Sequence, residues 1–311
     1  LLVLAREAGY PPFESLSPEI ARRAYAASWD TMQSSGGDVA SAIDVSIDTK
    51  AGALALRIYR GLGTDPQSPL PCMLFLHGGG WVIGSLDSHD RMCRRLATVA
   101  GICVVAVDYR LAPEHPFPAA LDDAAAAWRW IHARAQQLHV AIGAIAVGGD
   151  SAGGNLAAVL ALMGRDGTVP ASCYQALFYP VLDLIADADS YRRMTSDLPL
   201  TAATMHYFID HYTPRAHDRY DWRVSPLRAA SLAGAPPTLL LTVSHDPLCD
   251  EGRAYAQRLD LEGVRVCALH LNDQMHGLLG QGKLVPAANV IADQLYGVIG
   301  FELHRALGRA R

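Results

Sequence analysis

Short, almost wholly apolar runs alternate along the chain with longer segments of helix-forming composition. Such runs are typical of strands buried on both faces of a sheet, and the segments between them can form crossover helices. The apolar runs lie at residues 72–76, 102–107, 141–148, 175–179, 238–243 and 264–269. Helices are expected at residues 87–100, 119–138, 155–163, 252–262 and from about residue 286. The alternation predicts an α/β fold, in which a mostly parallel central sheet is flanked by helices.

The chain before residue 61 follows different patterns. Residues 1 to about 35 have the pattern of amphipathic helix, with a break at residues 10–13 and a restart at Ser17, where serine followed by proline is a good start signal. Apolar and polar residues then alternate over residues 43–47 and 54–58, on either side of a turn at residues 50–52. This spacing predicts an antiparallel hairpin ahead of the parallel strands.

The segment from residue 183 to about residue 220 interrupts the alternation, because it contains many aromatic and charged residues but no apolar run. We expect a helical insertion that lies over the sheet and packs with the N-terminal helices. The predicted division begins with N-terminal cap helices at residues 1–40 and a first part of the core at residues 41–182. A cap insertion follows at residues 183–221, and the second part of the core is residues 222–311.

The composition narrows the classes of partner. Of 311 residues, 50% are hydrophobic and 18% charged, the net charge is −5, and the arginines are scattered rather than clustered with aromatics. Nucleic acid is therefore not an expected partner. No apolar stretch is long enough to span a bilayer, so we expect no stable membrane insertion. The apolar start of the chain is too short for a signal peptide, and we expect a cytoplasmic protein.

The cysteines and histidines contain no metal-binding pattern. The cysteines lack the short paired spacing of a zinc site or redox motif, and no pair of histidines flanks a glutamate at helical spacing. We therefore expect no metal, and buried free thiols in a reducing compartment. The six cysteines are Cys72, Cys93, Cys103, Cys173, Cys249 and Cys267.

Residues 149–153 read Gly-Asp-Ser-Ala-Gly and fit the nucleophile elbow, a strained turn between a strand and a helix that presents a serine. An apolar run precedes the motif, and a helix-forming segment begins just after Ser151 and ends at Gly164, a plausible cap. The motif alone also fits an ordinary tight glycine turn, but this context favours the elbow. Ser151 is therefore the candidate nucleophile.

A serine hydroxyl is a weak nucleophile and needs a histidine base that a carboxylate orients. In α/β-hydrolases these groups follow the serine in the order acid, then histidine. Asp246 and His276 follow the last two predicted strands, at the carboxyl edge of the sheet where open α/β folds place their sites. Asp250 and His270 are the alternatives, although Asp250 lies at the start of a helix and His270 within or just past a strand.

The same chemistry generates an oxyanion, which backbone amides must stabilise. Residues 77–80 read His-Gly-Gly-Gly, follow a predicted strand and match a motif of lipases and esterases. We expect the amides of Gly78, Gly79 and Ala152 to form the oxyanion hole. A glycine run can also hold a phosphate, but a phosphate-binding loop needs lysine followed by serine or threonine, and Trp81 stands there instead.

Taken together, these motifs resemble the hormone-sensitive-lipase-like (family IV) carboxylesterases of the α/β-hydrolase superfamily. The matching residues are His-Gly-Gly-Gly at 77–80, Tyr-Arg-Leu-Ala-Pro-Glu at 109–114, Gly-Asp-Ser-Ala-Gly-Gly at 149–154, Asp-Pro-Leu at 246–248, Asp-Glu-Gly at 250–252 and Met-His-Gly at 275–277. The resemblance implies a triad of Ser151, Asp246 and His276, the same three oxyanion donors, and a helical cap. It also implies hydrolysis of small esters with short to medium acyl chains, no cofactor, and a homodimer in many members.

Several residues within or beside these motifs carry further expectations. Leu278 and Cys249 depart from the family pattern and are expected to alter only local packing or acyl preference. Arg110 and Glu114 are expected to brace their loop, and Asp150 to steady the elbow through a hydrogen bond. Two alternative functions keep the same fold: hydrolysis of aryl amides, lactones or carbamates, and a receptor that binds a small molecule without catalysis. The complete triad argues against the receptor.

Overall fold

The computed structural model describes residues 11–308, and one sheet of eight strands lies at its centre. The strands follow the spatial order β1-β2-β4-β3-β5-β6-β7-β8, and all neighbours from β4 to β8 are parallel, while β1, β2 and β4 pair antiparallel. The α/β fold and the early hairpin are confirmed. Strand bounds are β1 Val39–Thr49, β2 Gly52–Gly61, β3 Leu70–Leu76, β4 Cys103–Val107, β5 Val140–Asp150, β6 Gln175–Phe178, β7 Thr238–His245 and β8 Val266–Met275.

Helices connect the strands and cover both faces of the sheet. They are α1 Pro18–Met32, α2 Leu86–Ala100, α3 Ala119–Arg134, α4 Ala152–Arg165, α5 Asp189–Arg193, α6 Ala202–Tyr212, α7 Cys249–Leu261 and α8 Pro286–Ala306. The predicted start of α1 is confirmed, because the Ser17 side chain accepts a hydrogen bond from the Ile20 amide and proline occupies the first turn. The helix predicted ahead of residue 10 lies outside the described residues.

Two apolar clusters form the core, one on each face of the sheet. Residues of α3, α4 and α7 pack on one face, and residues of α2 and α8 pack on the other. Every residue of the central strand β3 is buried. This burial explains why the interior strands were readable as apolar runs.

Some predicted element ends were wrong, for physical reasons. Helix α4 continues through Gly164, whose missing side chain admits the backbone of Pro170 and Ala171 rather than ending the helix. Helix α3 ends at Arg134, before the predicted residue 138. Strand β8 runs past its apolar part to Met275, because polar residues at this sheet edge continue the pairing with β7.

The cysteine prediction holds in part, since all six cysteines are free thiols but only four of them are buried. Cys173 is half-buried, and Cys267 is exposed because β8 is an edge strand. Among residues 11–308, no helix combines the length and the apolar character that crossing a bilayer requires.

The N-terminal segment packs against the insertion after β6. The Thr204 hydroxyl on α6 donates to Glu14 Oε2 at 2.6 Å, and the Tyr207 hydroxyl donates to the Leu16 carbonyl at 3.1 Å. The rings of Phe13 and Phe208 are 6.1 Å apart. These contacts join the two parts of the expected cap, while its division from the core at residues 40, 182 and 221 stays a prediction.

Candidate active site

Ser151 lies on a strained turn between β5 and α4. Its backbone has φ +54° and ψ −119°, a combination that non-glycine residues rarely adopt and that costs about 1–3 kcal/mol. A side chain on Gly153 would overlap the backbone of Leu76 and His77, and one on Gly149 would overlap Gly153. The glycines therefore allow the close approach that the elbow needs, and the alternative of an ordinary glycine turn is set aside.

The structure brings Ser151, His276 and Asp246 together. The Ser151 hydroxyl lies 2.9 Å from His276 Nε2, and His276 Nδ1 lies 2.7 Å from Asp246 Oδ2. Because a carboxylate can only accept, Nδ1 carries the proton and Nε2 is left to accept the serine proton. Asp246 is 1% exposed, and its other oxygen accepts the Leu248 amide at 2.9 Å. The arrangement places the Nε2 atom of His276 where it can act as a base towards the serine.

The pairing of β7 with β8 explains how two distant residues meet. His245 and Met275, at the ends of these parallel strands, are partners in the sheet register. Asp246 directly follows β7, and His276 directly follows β8. The two residues therefore leave the sheet side by side at its carboxyl edge. The location that the sequence predicted for both residues is therefore observed.

The alternative acid and base are engaged elsewhere. Asp250 Oδ2 accepts the Ser190 amide at 2.8 Å and pairs with Arg193 at 3.0 Å. His270 lies within β8, where Nδ1 is 2.8 Å from the Thr242 hydroxyl and Nε2 is 3.0 Å from the Ser244 hydroxyl. The structure therefore brings Asp246 and His276, and neither of these two residues, into the hydrogen-bonded series with Ser151.

The oxyanion prediction fails at Gly78. The Gly78 amide donates to Asp150 Oδ1 at 2.9 Å, so this buried N–H already has a strong, charged acceptor. The loop then turns through left-handed backbone at Gly79, Gly80 and Trp81, with φ values of +117°, +58° and +58°. Within residues 11–308, no protein group accepts a hydrogen bond from the amides of Gly79, Gly80 or Ala152. Those three amides remain for an external anion.

Asp150 links the elbow to the oxyanion loop, the name we give to residues 77–81. The sequence predicted a structural role of this kind for Asp150. Besides the Gly78 amide, its carboxylate contacts His89 Nε2 at 3.2 Å. Burial alone would raise the pKa of Asp150, but His89, His77 and the Gly78 amide outweigh burial and lower it. A charged carboxylate thus anchors the first glycine of the loop.

Sequence reasoning missed His89 and Tyr179, which lie behind and beside the site. His89 is buried on α2, and no short motif connects it with Asp150, which is 61 residues away. The Tyr179 ring lies 4.8 Å from the His276 ring, and its backbone has φ +37°. Tyr179 directly follows β6, and nothing in the sequence at this position indicates a contact with His276.

The two departures from the family pattern are both packing residues. Leu278 is fully buried in the apolar cluster beneath α8, and Cys249 is buried at the start of α7. Burial and neighbouring carboxylates raise the pKa of Cys249 to about 11, so its thiol is unreactive near neutral pH.

Arg110 and Glu114 brace their loop as expected, but each has its ionic partner outside the loop. Arg110 pairs with Asp123 at 2.9 Å, and Glu114 pairs with Arg22 of α1 through two hydrogen bonds of 2.8 and 2.6 Å. Arg22 also donates to the carbonyls of Val82 and Ala112, each at 2.8 Å. Arg22 therefore fixes α1 to the segment that follows the oxyanion loop.

The Arg22 pair predicts a pH-dependent contribution to stability. The hydrogen bond from Arg22 lowers the pKa of Glu114 from 4.5 to about 2. A lowered folded-state pKa stabilises the protein above pH 4.5, and this contribution is lost as the pH falls towards 2. Because Glu114 is 55% exposed, we expect Glu114→Gln to lower the free energy of unfolding at pH 7 by only about 0.5–1 kcal/mol.

Urea unfolding of the parent and Glu114→Gln at pH 7, 5 and 4 measures this effect, and the difference should shrink as the pH falls. Glu19→Gln is the matched control, since among the described residues Glu19 forms only an exposed pair with Arg23 on its own helix. A difference that grows towards low pH would contradict the assignment.

Comparison with known proteins places the chain in a family. Residues 73–280 match a family with the alpha/beta hydrolase fold. The chain is 38% identical to ethyl acetate hydrolase of Pseudomonas putida over 280 residues, covering 89% of this chain and 88% of that protein. It belongs to the hormone-sensitive-lipase-like α/β-hydrolases. Esterase LipI of Mycobacterium tuberculosis is 40% identical over 253 residues, covering 79% of this chain and 77% of LipI.

Solved structures of esterases have the same fold. A thermostable esterase from Pseudomonas putida ECU1011 superposes with a TM-score of 0.92 at 33% identity, covering 97% of this chain and 95% of that one. The carboxylesterase EstE1, cloned from a metagenomic library, gives a TM-score of 0.87 at 36% identity, covering 93% and 98%. Nearly the whole chain therefore has the same backbone fold as these two esterases.

Proposed function

We propose that this α/β-hydrolase is a serine carboxylesterase that hydrolyses short- to medium-chain acyl esters through an acyl-enzyme on Ser151. Family membership and relatives named esterases make the chain a carboxylic ester hydrolase. The observation that carries the serine mechanism is the hydrogen-bonded series from Ser151 Oγ through His276 to Asp246, with distances of 2.9 and 2.7 Å.

In the proposed reaction, Ser151 Oγ attacks the ester carbonyl carbon while His276 Nε2 takes the hydroxyl proton. The carbonyl oxygen becomes an oxyanion, and the C–O bond to the alcohol then breaks as the imidazolium returns the proton to the leaving oxygen. Water, deprotonated by His276, attacks the acyl-enzyme in the same way and releases the carboxylic acid and Ser151. Asp246 holds the imidazole and stabilises its positive charge in both halves of the reaction.

We assign the oxyanion donors to Gly79, Gly80 and Ala152, replacing the predicted Gly78. Ala152 is the first residue of α4, so its amide has no partner within the helix and lies at the positive end of the helix dipole. The two glycine amides precede Trp81 in a left-handed turn, a geometry that forms anion-binding concavities.

The size preference rests on the enclosure of the serine. Ser151 is 7% exposed and His276 is 9% exposed, so little of either residue is open to solvent. A small ester fits such a site more readily than a long acyl chain, and one relative is named for the hydrolysis of ethyl acetate. The chemistry at Ser151 would also serve aryl amides, lactones or carbamates, but no described contact favours them.

A series of p-nitrophenyl esters from acetate to palmitate tests the proposal, together with labelling by a fluorophosphonate probe. We expect kcat/KM to be highest at acetate to hexanoate and one probe molecule to react with each chain. Hydrolysis of long chains only would overturn the size preference. Absence of both turnover and labelling would overturn the esterase assignment and leave the receptor alternative.

The remaining partners stay predictions: a small-molecule ester as substrate, no nucleic acid, no stable membrane insertion, and a homodimer. Strand β8 offers one surface for a second copy, because it is an edge strand with Cys267 and Leu269 exposed. The molar mass in solution by light scattering tests this. A cytoplasmic location is likewise proposed from the free cysteines.

A further inference from the structure

The oxyanion loop lies directly beneath helix α6 of the insertion. The indole of Trp81 stacks on the ring of Tyr212, with centroids 4.3 Å apart and planes 5° from parallel. Both side chains are completely buried. Trp81 immediately follows Gly80, so this stack joins α6 to the residue next to a proposed oxyanion donor.

The stack is a contact between rings and not a hydrogen bond. Within residues 11–308, neither Trp81 Nε1 nor the Tyr212 hydroxyl has a hydrogen-bond partner. Offset stacking of two aromatic rings stabilises a pair beyond the area that it buries. Trp81 therefore contacts the aromatic ring of Tyr212 and not its hydroxyl.

Trp81 has a backbone conformation that needs support. Its φ of +58° is rare for a bulky residue and persists only where the surroundings hold it. Its carbonyl accepts the Ala112 amide at 2.8 Å, and the Tyr212 carbonyl accepts the Phe117 amide at 2.9 Å. The same loop, residues 109–118, thus ties the backbones of both stacked residues together.

A second residue of α6 contacts the preceding position of the oxyanion loop. A side chain on Gly80 would overlap the ring of Phe208, which is itself buried. Helix α6 therefore covers two consecutive residues. Its Phe208 ring lies over Gly80, and its Tyr212 ring lies over Trp81. The loop cannot move towards α6 without displacing one of these rings.

We propose that Tyr212 is a positioning residue that holds the Gly79 and Gly80 amides in their oxyanion-binding geometry by stacking on Trp81. The inference rests on the proposed function of those amides. Stabilisation of an oxyanion requires donors that are already in place, and a small displacement weakens transition-state binding more than substrate binding. A ring on the cap insertion thereby acts on kcat without contacting the reacting atoms.

Two substitutions at Tyr212 separate the ring from the hydroxyl. Tyr212→Phe keeps the stack and removes only an unpartnered hydroxyl, so we expect kcat for p-nitrophenyl butyrate within about twofold of the parent. Tyr212→Leu removes the ring, and we expect kcat per active site to fall about 10- to 100-fold, with KM changed less than about threefold. Active sites are counted by fluorophosphonate titration, so that unfolded protein does not contribute.

Inhibition by a trifluoromethyl ketone supplies a readout that a purely structural role would not move. The ketone adds to Ser151 and places an oxyanion in the hole, so its affinity should fall in Tyr212→Leu by about the same factor as kcat/KM. Tyr220→Leu is the matched control, because it makes the same change in the same insertion. Tyr220 is 66% exposed and its ring faces the Arg228 guanidinium at 5.6 Å, so its loss should leave kcat per site unchanged.

Three results would overturn the proposal: an unchanged kcat per site in Tyr212→Leu, an unchanged ketone affinity, or an equal loss in Tyr212→Phe. If Tyr212→Leu does not fold, Tyr212→Met, whose unbranched side chain adapts to an irregular space, is judged by the same readouts. Failure of the proposed function is distinguishable, because the parent itself would then neither turn over esters nor react with the probe.

Discussion

Ser151→Ala is expected to lower kcat for p-nitrophenyl butyrate by about 10⁶-fold and to abolish labelling by the fluorophosphonate. The hydroxyl is the atom that would carry the acyl group, and no neighbouring side chain can replace it at 2.9 Å from His276 Nε2. Some rate above the uncatalysed reaction should remain, because the amides of Gly79, Gly80 and Ala152 still stabilise an oxyanion that attacking water generates.

Ser196→Ala is the matched control for this variant, since Ser196 is exposed and, in the part of the chain that the structure describes, its hydroxyl contacts only Asp197. Its activity and labelling should equal those of the parent. Removing the strained serine from the elbow should also leave the fold intact, which circular dichroism and thermal unfolding verify. Retention of one per cent or more of the parent activity in purified, folded Ser151→Ala would contradict Ser151 as the nucleophile.

Asp246→Asn is expected to lower kcat by about 10⁴-fold while the protein remains folded. The carboxylate accepts the Nδ1 proton of His276 at 2.7 Å, whereas an asparagine side chain can also present its amide group there. That amide would favour the tautomer with its proton on Nε2, which cannot accept the proton of Ser151. The loss should appear in kcat at every pH at which the enzyme is stable.

Asp250→Asn gives a stringent comparison for Asp246→Asn, because it makes the same chemical change four residues away in the same acidic segment. Asp250 bonds to Ser190 and Arg193 rather than to His276, so we expect kcat within about twofold of the parent. A large loss in Asp250→Asn with little loss in Asp246→Asn would exchange the roles of the two carboxylates.

The triad could be predicted because its members follow apolar strands. Burial on both faces makes β5 and β7 visible as apolar runs, and a parallel sheet brings the residues that follow its strands to one edge. The extension of β8 was not visible, because an edge strand needs no apolar residues to continue its pairing. His276 was nevertheless placed, since its motif did not depend on the strand end.

The error at Gly78 has a different origin. Consecutive glycines look alike in a sequence, and which amide is free depends on a carboxylate 72 residues away. The contacts of Phe208 and Tyr212 with the oxyanion loop were equally hidden. Aromatic residues on an amphipathic helix indicate burial, but their spacing does not tell which loop of another segment they will contact.

The shared register of β7 and β8 also bears on how this scaffold tolerates change. Asp246 and His276 are 30 residues apart in the chain, yet their separation is set by the neighbouring strands from which they emerge and not by the length of the α7 connection. Helix α7 and its turns could therefore be lengthened, shortened or exchanged between homologues without altering the distance between acid and base. A one-residue insertion within β8 would shift the register of the residues that follow it. His276 would then no longer contact Ser151 or Asp246.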